Sequence, residues 1–227
     1  MADVRKSLEA ERDMEREFVA EALKSETQPK GWPAALLMFH LTMWRERLRN
    51  ALTDLRDGRP YTPPPTNVDE FNDAEIAGGI GTPLADVAAR SDRLLGELIA
   101  LFDELGDRPF EWYVGNTTTE ALLRNSYTHA RVHVYEYWRE NGEQDRAHQL
   151  FEDAVSEMRD SSAPPLVLGA VLYNLAITRV DQDRVDEALE LLVEAFPMRP
   201  DLKEGAASDP DLEPLHDNPG FKALIKR

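Results

Sequence analysis

Apolar residues recur every three or four positions along most of the chain, and this helical period constrains the fold more than any other feature. The segment AALLMFHLTMWRERLRNALTDLR carries one such stripe, made of Leu37, Leu41, Trp44, Leu48, Leu52 and Leu55. This spacing puts side chains on one face of an α-helix. We find no convincing period-two run of the kind that indicates a half-buried strand. The sequence therefore predicts an all-α protein.

Four long amphipathic segments in the first part of the chain predict a helix bundle. They cover about residues 3–26, 31–58, 82–106 and 117–141. The last one begins at Thr117, which has capping-box spacing to Glu120. The second and third are separated by RPYTPPPTNVDEFNDAEIAGGIG, which we predict to be a long loop. Helices of this length, joined in part by long crossings, are typical of a four-helix bundle.

Shorter helices are predicted after Gly142, at about 143–159, 164–180 and 184–197. The segment YNLAITRVDQDRVDEALELLVEAFPMRP resembles the tetratricopeptide pattern at the positions where two helices pack closely. These positions are Leu172, Leu175, Ala176, Ala188, Leu192 and Ala195. The tail, with Leu212, Leu215, Phe221 and Leu224, predicts short capping helices. We predict a bundle domain at 1–141 and a repeat-like domain at 142–227, with helix 117–141 shared between them.

The composition excludes several classes of partner. The chain has 43 acidic and 26 basic residues, a net charge of −17, which repels nucleic acids and anionic lipid surfaces. No long apolar stretch and no signal-peptide pattern are present, so we expect a cytoplasmic protein. The chain has no cysteine. Any thiol that takes part in a reaction must therefore come from outside.

Three histidines are candidate metal ligands. His129 and His133, in NSYTHARVHVYEYW, are four residues apart and share one helix face. His40 lies in the inward stripe of the second predicted helix, one turn from Leu37 and Trp44. Three imidazoles could hold a divalent ion and leave its other positions open. The alternative is that each ring is a hydrogen-bonded core residue, and spacing alone leaves both interpretations open.

Other residues near the histidines are candidates for supporting roles. Glu136, one turn beyond His133, could accept the outer N–H of a ligand or act as a base, although a plain surface glutamate explains it equally well. Aromatic residues are dense in this region and most should be core. The candidates for a substrate pocket are Trp44, Tyr127, Tyr137, Phe71 and Asn72.

Residues 1–140 resemble the DinB-like family of four-helix bundles, which includes the YfiT-like and ClbS/DfsB-type proteins. The resemblance rests on His40 in FHLTMW, on the pair His129 and His133, and on VDEFNDAEIAGGIGTPLADVAARSDRLLGEL. It implies that these three histidines bind a divalent ion, for which zinc, nickel and manganese are the candidates. Several members of the family are transferases that use mycothiol, bacillithiol or glutathione, and the ClbS/DfsB branch is associated with drug or toxin resistance.

The function expected from this resemblance is metal-dependent transfer of an external thiol to an electrophilic small molecule, or hydrolysis of that molecule, in detoxification. The alternative is a non-catalytic scaffold that binds a protein partner through the tetratricopeptide-like unit. That unit could also form a homodimer.

Overall fold

The structure is a computed structural model that describes residues 2–25 and 29–226. These residues form eleven α-helices and one small two-stranded hairpin, which confirms the all-α prediction. They fall into two compact units, Ala2–Gln144 and residues 145–226. No helix in the described part of the chain combines the length and the apolar character needed to cross a membrane.

Four helical segments form a bundle in the first unit. They are α1 (Val4–Lys24), α2 (Ala34–Arg56), α4 (Leu84–Leu105) and a last segment made of α5 (Thr118–Leu123), a π turn (Arg124–Thr128) and α6 (His129–Glu140). Helix α2 packs along α4 and against α6, and α1 packs against α4 and α5. This arrangement brings the second and last helices of the bundle side by side.

The apolar stripe of α2 lies in the bundle core as its spacing predicts. Leu37, Leu41, Trp44, Leu48 and Leu52 are buried, and Leu55 is half-buried at the end of the helix.

The last segment begins with the predicted cap, because the N–H of Glu120 donates to Oγ1 of Thr117 at 3.2 Å. The carboxylate of Glu120 accepts from the N–H of Asn116, one residue earlier than in a standard capping box.

Two connections differ from the sequence prediction. The segment predicted as a long loop contains helix α3 (Val68–Ile76), which is capped by Asn67 and followed by a 3₁₀ turn, Ala77–Gly79. It has no buried residue, so it has no apolar stripe by which to predict it. An antiparallel hairpin, β1 (Pro109–Trp112) and β2 (Gly115–Thr117), joins α4 to α5. Its strands are too short for alternation to be recognised.

The second unit contains shorter helices. They are α7 (Gln144–Asp160), α8 (Pro165–Asp181), α9 (Val185–Met198), α10 (Pro200–Gly205) and α11 (Pro219–Lys226). Helices α8 and α9 pack along each other, with Ala176, Ala188 and Ala195 fully buried. In the tail, Leu212, Leu215 and Phe221 are fully buried, which confirms the predicted capping elements.

Candidate metal centre

Three histidine side chains from two helices meet inside the Ala2–Gln144 unit. His40 lies on α2, and His129 and His133 lie one turn apart on α6. The Nε2 atom of His129 is 3.1 Å from Nε2 of His40 and 3.0 Å from Nε2 of His133. One ligand atom from each residue lies within 4.8 Å of the others. The structure thus brings together the three candidate ligands found in the sequence.

Hydrogen bonding within the protein does not account for this cluster. A neutral imidazole nitrogen carries either one proton or one lone pair, so Nε2 of His129 can form one well-directed hydrogen bond with its two neighbours. The second contact then leaves two ring nitrogens close together without a hydrogen bond. Nδ1 of His40 is also buried, and it has no hydrogen-bond partner among the described residues. A cation shared by the three Nε2 atoms fits the cluster better than a hydrogen-bonded core does.

The surroundings of two rings favour their neutral form. Burial, followed by the neighbouring His133, lowers the pKa of His40 to about 3. The pKa of His129 is also well below its ordinary value, first because of burial and then because of His133 and His40. A histidine binds a metal as the neutral imidazole. Both rings are therefore ready to bind at neutral pH without releasing a proton.

His40, His129 and His133 would hold an ion through three nitrogens from one side. Sites with three protein ligands keep a further position for water or a substrate, and an ion bound there would act as a Lewis acid.

Glu136, the predicted supporting residue, lies beside His133. Its Oε2 atom is 3.2 Å from Nδ1 of His133. When Nδ1 carries the proton and donates a hydrogen bond to this carboxylate, Nε2 keeps its lone pair and directs it at the other two histidines. Glu136 is exposed. This position suits a residue that orients a ligand from the rim of the site.

The π turn immediately precedes the histidine pair. The N–H of His129 donates to the carbonyl of Arg124, five residues earlier, where an α-helix would use the residue four earlier. Arg124 therefore stands one turn before His129 on the same face. In a regular α-helix a residue five positions away is rotated by about 140°. Turns of this kind are frequent at functional sites.

Three of the predicted pocket residues form an aromatic wall beside the histidines. The ring of Trp44 is 6.3 Å from the rings of both His40 and His129. Its Nε1 donates to Oδ1 of Asn72 at 3.0 Å, and its ring packs 5.1 Å from that of Phe71. Helix α3 carries Phe71 and Asn72 to this wall, so the element missing from the sequence prediction helps to build the site.

The other two predicted pocket residues lie away from this wall. Tyr137 lines a cavity of about 300 Å³ beside His133. Tyr127 is fully buried, and its ring lies under the guanidinium of Arg131 at 4.2 Å. The structure thus brings Tyr137 to the histidines and places Tyr127 in the bundle core. A second cavity, of about 350 Å³ between α1, α2 and α4, touches none of the three histidines.

Sequence reasoning missed Trp32, which covers the histidines. Its ring stacks on that of His133 with 6.1 Å between centroids and meets the ring of His40 at 5.3 Å. It is 39% exposed and also lines the cavity beside His133. Trp32 precedes α2 and belongs to no helical stripe, so periodicity carries no signal for its role.

Comparison with known proteins leaves the family open. The chain matches no family model, no curated protein and no solved structure.

Proposed function

We propose that this chain is a metal-dependent enzyme of the DinB-like type that acts on an electrophilic small molecule. The observation that carries the proposal is the convergence of the Nε2 atoms of His40, His129 and His133, which one hydrogen bond at Nε2 of His129 does not explain. The four-helix arrangement, with these histidines on its second and last helices, agrees with the resemblance drawn from the sequence.

A divalent ion bound there supplies Lewis acidity and lowers the pKa of a bound water or thiol. Zinc, nickel and manganese are the candidate ions. Among the chain's own residues, Trp32 and Trp44 shield the histidines from bulk water, and Glu136 accepts a hydrogen bond from Nδ1 of His133. Phe71 is half-buried beside the buried Trp44, and it offers apolar surface to the carbon skeleton of a substrate.

The proposed reaction is attack by an external nucleophile. The chain has no cysteine, so the nucleophile is either a low-molecular-weight thiol or water. In the first case the thiol sulfur bonds to the electrophilic carbon, the bond from that carbon to its leaving group breaks, and the leaving group departs with the bonding electron pair. The thiol proton passes to the leaving group or to solvent, and the protein is a thiol transferase. In the second case the oxygen of water takes the place of the sulfur, and the protein is a hydrolase. Either reaction suits the detoxification of a small molecule.

Metal content is the first test of this proposal. Protein purified without a histidine tag and supplied with zinc, nickel or manganese should hold about one ion per chain by mass spectrometry. His129→Ala removes the central ligand and should lose the ion. His148→Ala changes a histidine of the other unit and should keep it.

Measurements of substrate turnover then distinguish thiol transfer from hydrolysis. A panel of electrophiles is offered to the metal-loaded protein with and without glutathione, and a transferase consumes them only when thiol is present. A protein that binds none of the three metals would contradict the proposal. A scaffold that binds a partner through the packed pair α8 and α9 would then be the better explanation.

A further inference from the structure

Two arginines and a tyrosine lie beside the aromatic wall. Arg47 follows His40 by seven residues, about two helical turns, and so lies on nearly the same face of α2. Its guanidinium is 4.4 Å from the ring centroid of Phe71. The guanidinium of Arg124, which the π turn carries to this face, is 4.7 Å from the ring centroid of Tyr113. We call Arg47, Arg124 and Tyr113 the cationic corner.

The cationic corner adjoins the histidines. The ring of Tyr113 is 6.0 Å from that of Trp44, which itself contacts His129. Arg124 also lies one turn before His129 on the last helical segment. Trp44 and this turn therefore link the cationic corner to the histidines.

Two groups of the cationic corner have no polar partner. The hydroxyl of Tyr113 is buried and has no hydrogen-bond partner in the described part of the chain. Arg47 forms no ion pair with any carboxylate of residues 2–25 and 29–226, and its Nε is buried without an acceptor. Elsewhere in this acidic chain, Arg12 and Arg90 pair with carboxylates. A guanidinium and a hydroxyl that lack an acceptor are the groups that bind a carboxylate.

The backbone holds Tyr113 in an uncommon conformation. Tyr113 occupies the turn between β1 and β2 with φ of 54°, a region that turns of this type usually fill with glycine, asparagine or aspartate. A bulky side chain is strained there. Such strain tends to persist where it serves a function, and here it places the phenol against Trp44 and Arg124.

We propose that the cationic corner binds a carboxylate group of the molecule that reacts at the histidines. Arg47 and Arg124 are the charge partners, and the Tyr113 hydroxyl donates a hydrogen bond. The part of this inference that concerns the reaction of the bound molecule rests on the proposed function. Binding of the carboxylate at the cationic corner needs no metal. The carboxylate belongs either to the electrophile or to the external thiol.

Binding of phenylacetate to the metal-free protein tests the cationic corner. Phenylacetamide, which has the same shape without the charge, is the matched probe, and affinities are measured by titration calorimetry and ligand-detected NMR. We expect phenylacetate to bind at least about tenfold more tightly than phenylacetamide, since a hydrogen bond to a charged group has about this effect. Arg47→Gln should abolish the preference, Tyr113→Phe should weaken it, and Arg47→Lys should restore part of it.

The control is Arg56→Gln, which removes an exposed charge from the same helix and should leave the preference unchanged. Circular dichroism checks that each variant is folded. Equal binding of the two probes, no binding of phenylacetate, or an unchanged preference in folded Arg47→Gln would overturn the inference. Since no metal is present, failure of the metal proposal does not affect this result.

A competition experiment identifies the source of the carboxylate. N-acetylcysteine and its neutral amide are each added to the protein with phenylacetate bound. Displacement by the acid and not by the amide assigns the cationic corner to the thiol. Phenylacetate that stays bound against both assigns it to the electrophile.

Discussion

Two buried polar clusters lie close together in the same bundle and are built in opposite ways. The ionic cluster consists of Glu11, Glu15, Arg45, Ser91 and Arg131. The histidine cluster consists of His40, His129 and His133. The two clusters share helices, since α2 and α6 each contribute to both.

Acidic and basic side chains pair within the ionic cluster. Arg45 pairs with Glu15 and also donates to Oγ of Ser91 and to the carbonyl of Ser126. Nε of Arg131 donates to Glu11 at 2.9 Å. These contacts join α1, α2, α4 and the last helical segment. Its atoms are not all hydrogen-bonded, since Oε1 of Glu11 and Nε of Arg45 have no such partner among the described residues.

The histidine cluster has no pairs of opposite charge. Its nitrogens converge, yet they cannot all be hydrogen-bonded to one another. His40 is as deeply buried as the ionic cluster, so the burial of a polar group does not by itself distinguish the two clusters. We infer that buried groups of opposite charge which pair hold the helices together, whereas uncharged rings whose nitrogens converge without pairing form a site for a ligand.

The largest expected effect of a substitution is in the ionic cluster. Arg45→Met removes the cation that pairs with the buried Glu15 and leaves that residue with the hydroxyl of Ser91 as a hydrogen-bond donor, and breaking a buried pair costs about 3–5 kcal/mol. We expect a loss of this size in the free energy of unfolding by urea. Arg56→Met, on the exposed face of the same helix, should change it by less than about 0.5 kcal/mol. Equally small losses in both variants would show that the ionic cluster does not hold the bundle together.

The next effect is the response of the histidine cluster to metal. An ion that binds only the folded state adds about 2.7 kcal/mol of stability at 100 times its Kd. Nickel or manganese should therefore raise the Tm of the protein, and His40→Leu should abolish the rise while Arg56→Met keeps it. A rise of the same size in His40→Leu would mean that the ion binds elsewhere.

The two clusters also differ in how far the sequence predicts them. The positions of His40, His129 and His133 follow from helical spacing, because each lies on a helix with a regular apolar stripe. The ionic cluster does not follow from spacing. In the sequence, Glu11 and Glu15 resemble ordinary charged surface residues of α1. Their burial depends on how α1 packs against three other helical segments.

The rest of the site could not be predicted from the sequence, because it lies on segments that depart from the regular helical period. The π turn shifts the last segment by one residue and so brings Arg124 into line with His129. Tyr113 is carried by a hairpin whose strands have four and three residues. Phe71 and Asn72 lie on α3, which has no buried face. The bundle and the three candidate ligands could be predicted, whereas the walls of the site depend on irregular elements that no periodic pattern reveals.

A smaller effect concerns the response of the ionic cluster to pH. Burial, opposed mainly by Arg131, raises the pKa of Glu11 from 4.5 to about 8. Between these pH values the folded state keeps a proton that the unfolded state has released, so stability falls as the pH rises. We expect a loss on the order of 2 kcal/mol between pH 5 and pH 7 in urea unfolding. Glu11→Gln cannot titrate and should flatten the slope. A slope that Glu11→Gln leaves unchanged would show that another group causes it.

The smallest expected change in the free energy of unfolding is that of His40→Leu, and it contrasts most strongly with the loss expected for Arg45→Met. In the metal-free protein, His40→Leu removes a ring that the low pKa keeps neutral at pH 7 and whose Nδ1 has no partner among the described residues. The substitution leaves no buried charge behind, and leucine restores apolar burial. Its free energy of unfolding in urea should be within about 1 kcal/mol of the unsubstituted protein, or higher. A loss as large as that of Arg45→Met would show that the histidines hold the bundle together as the ionic cluster does. The triad would then belong to the core.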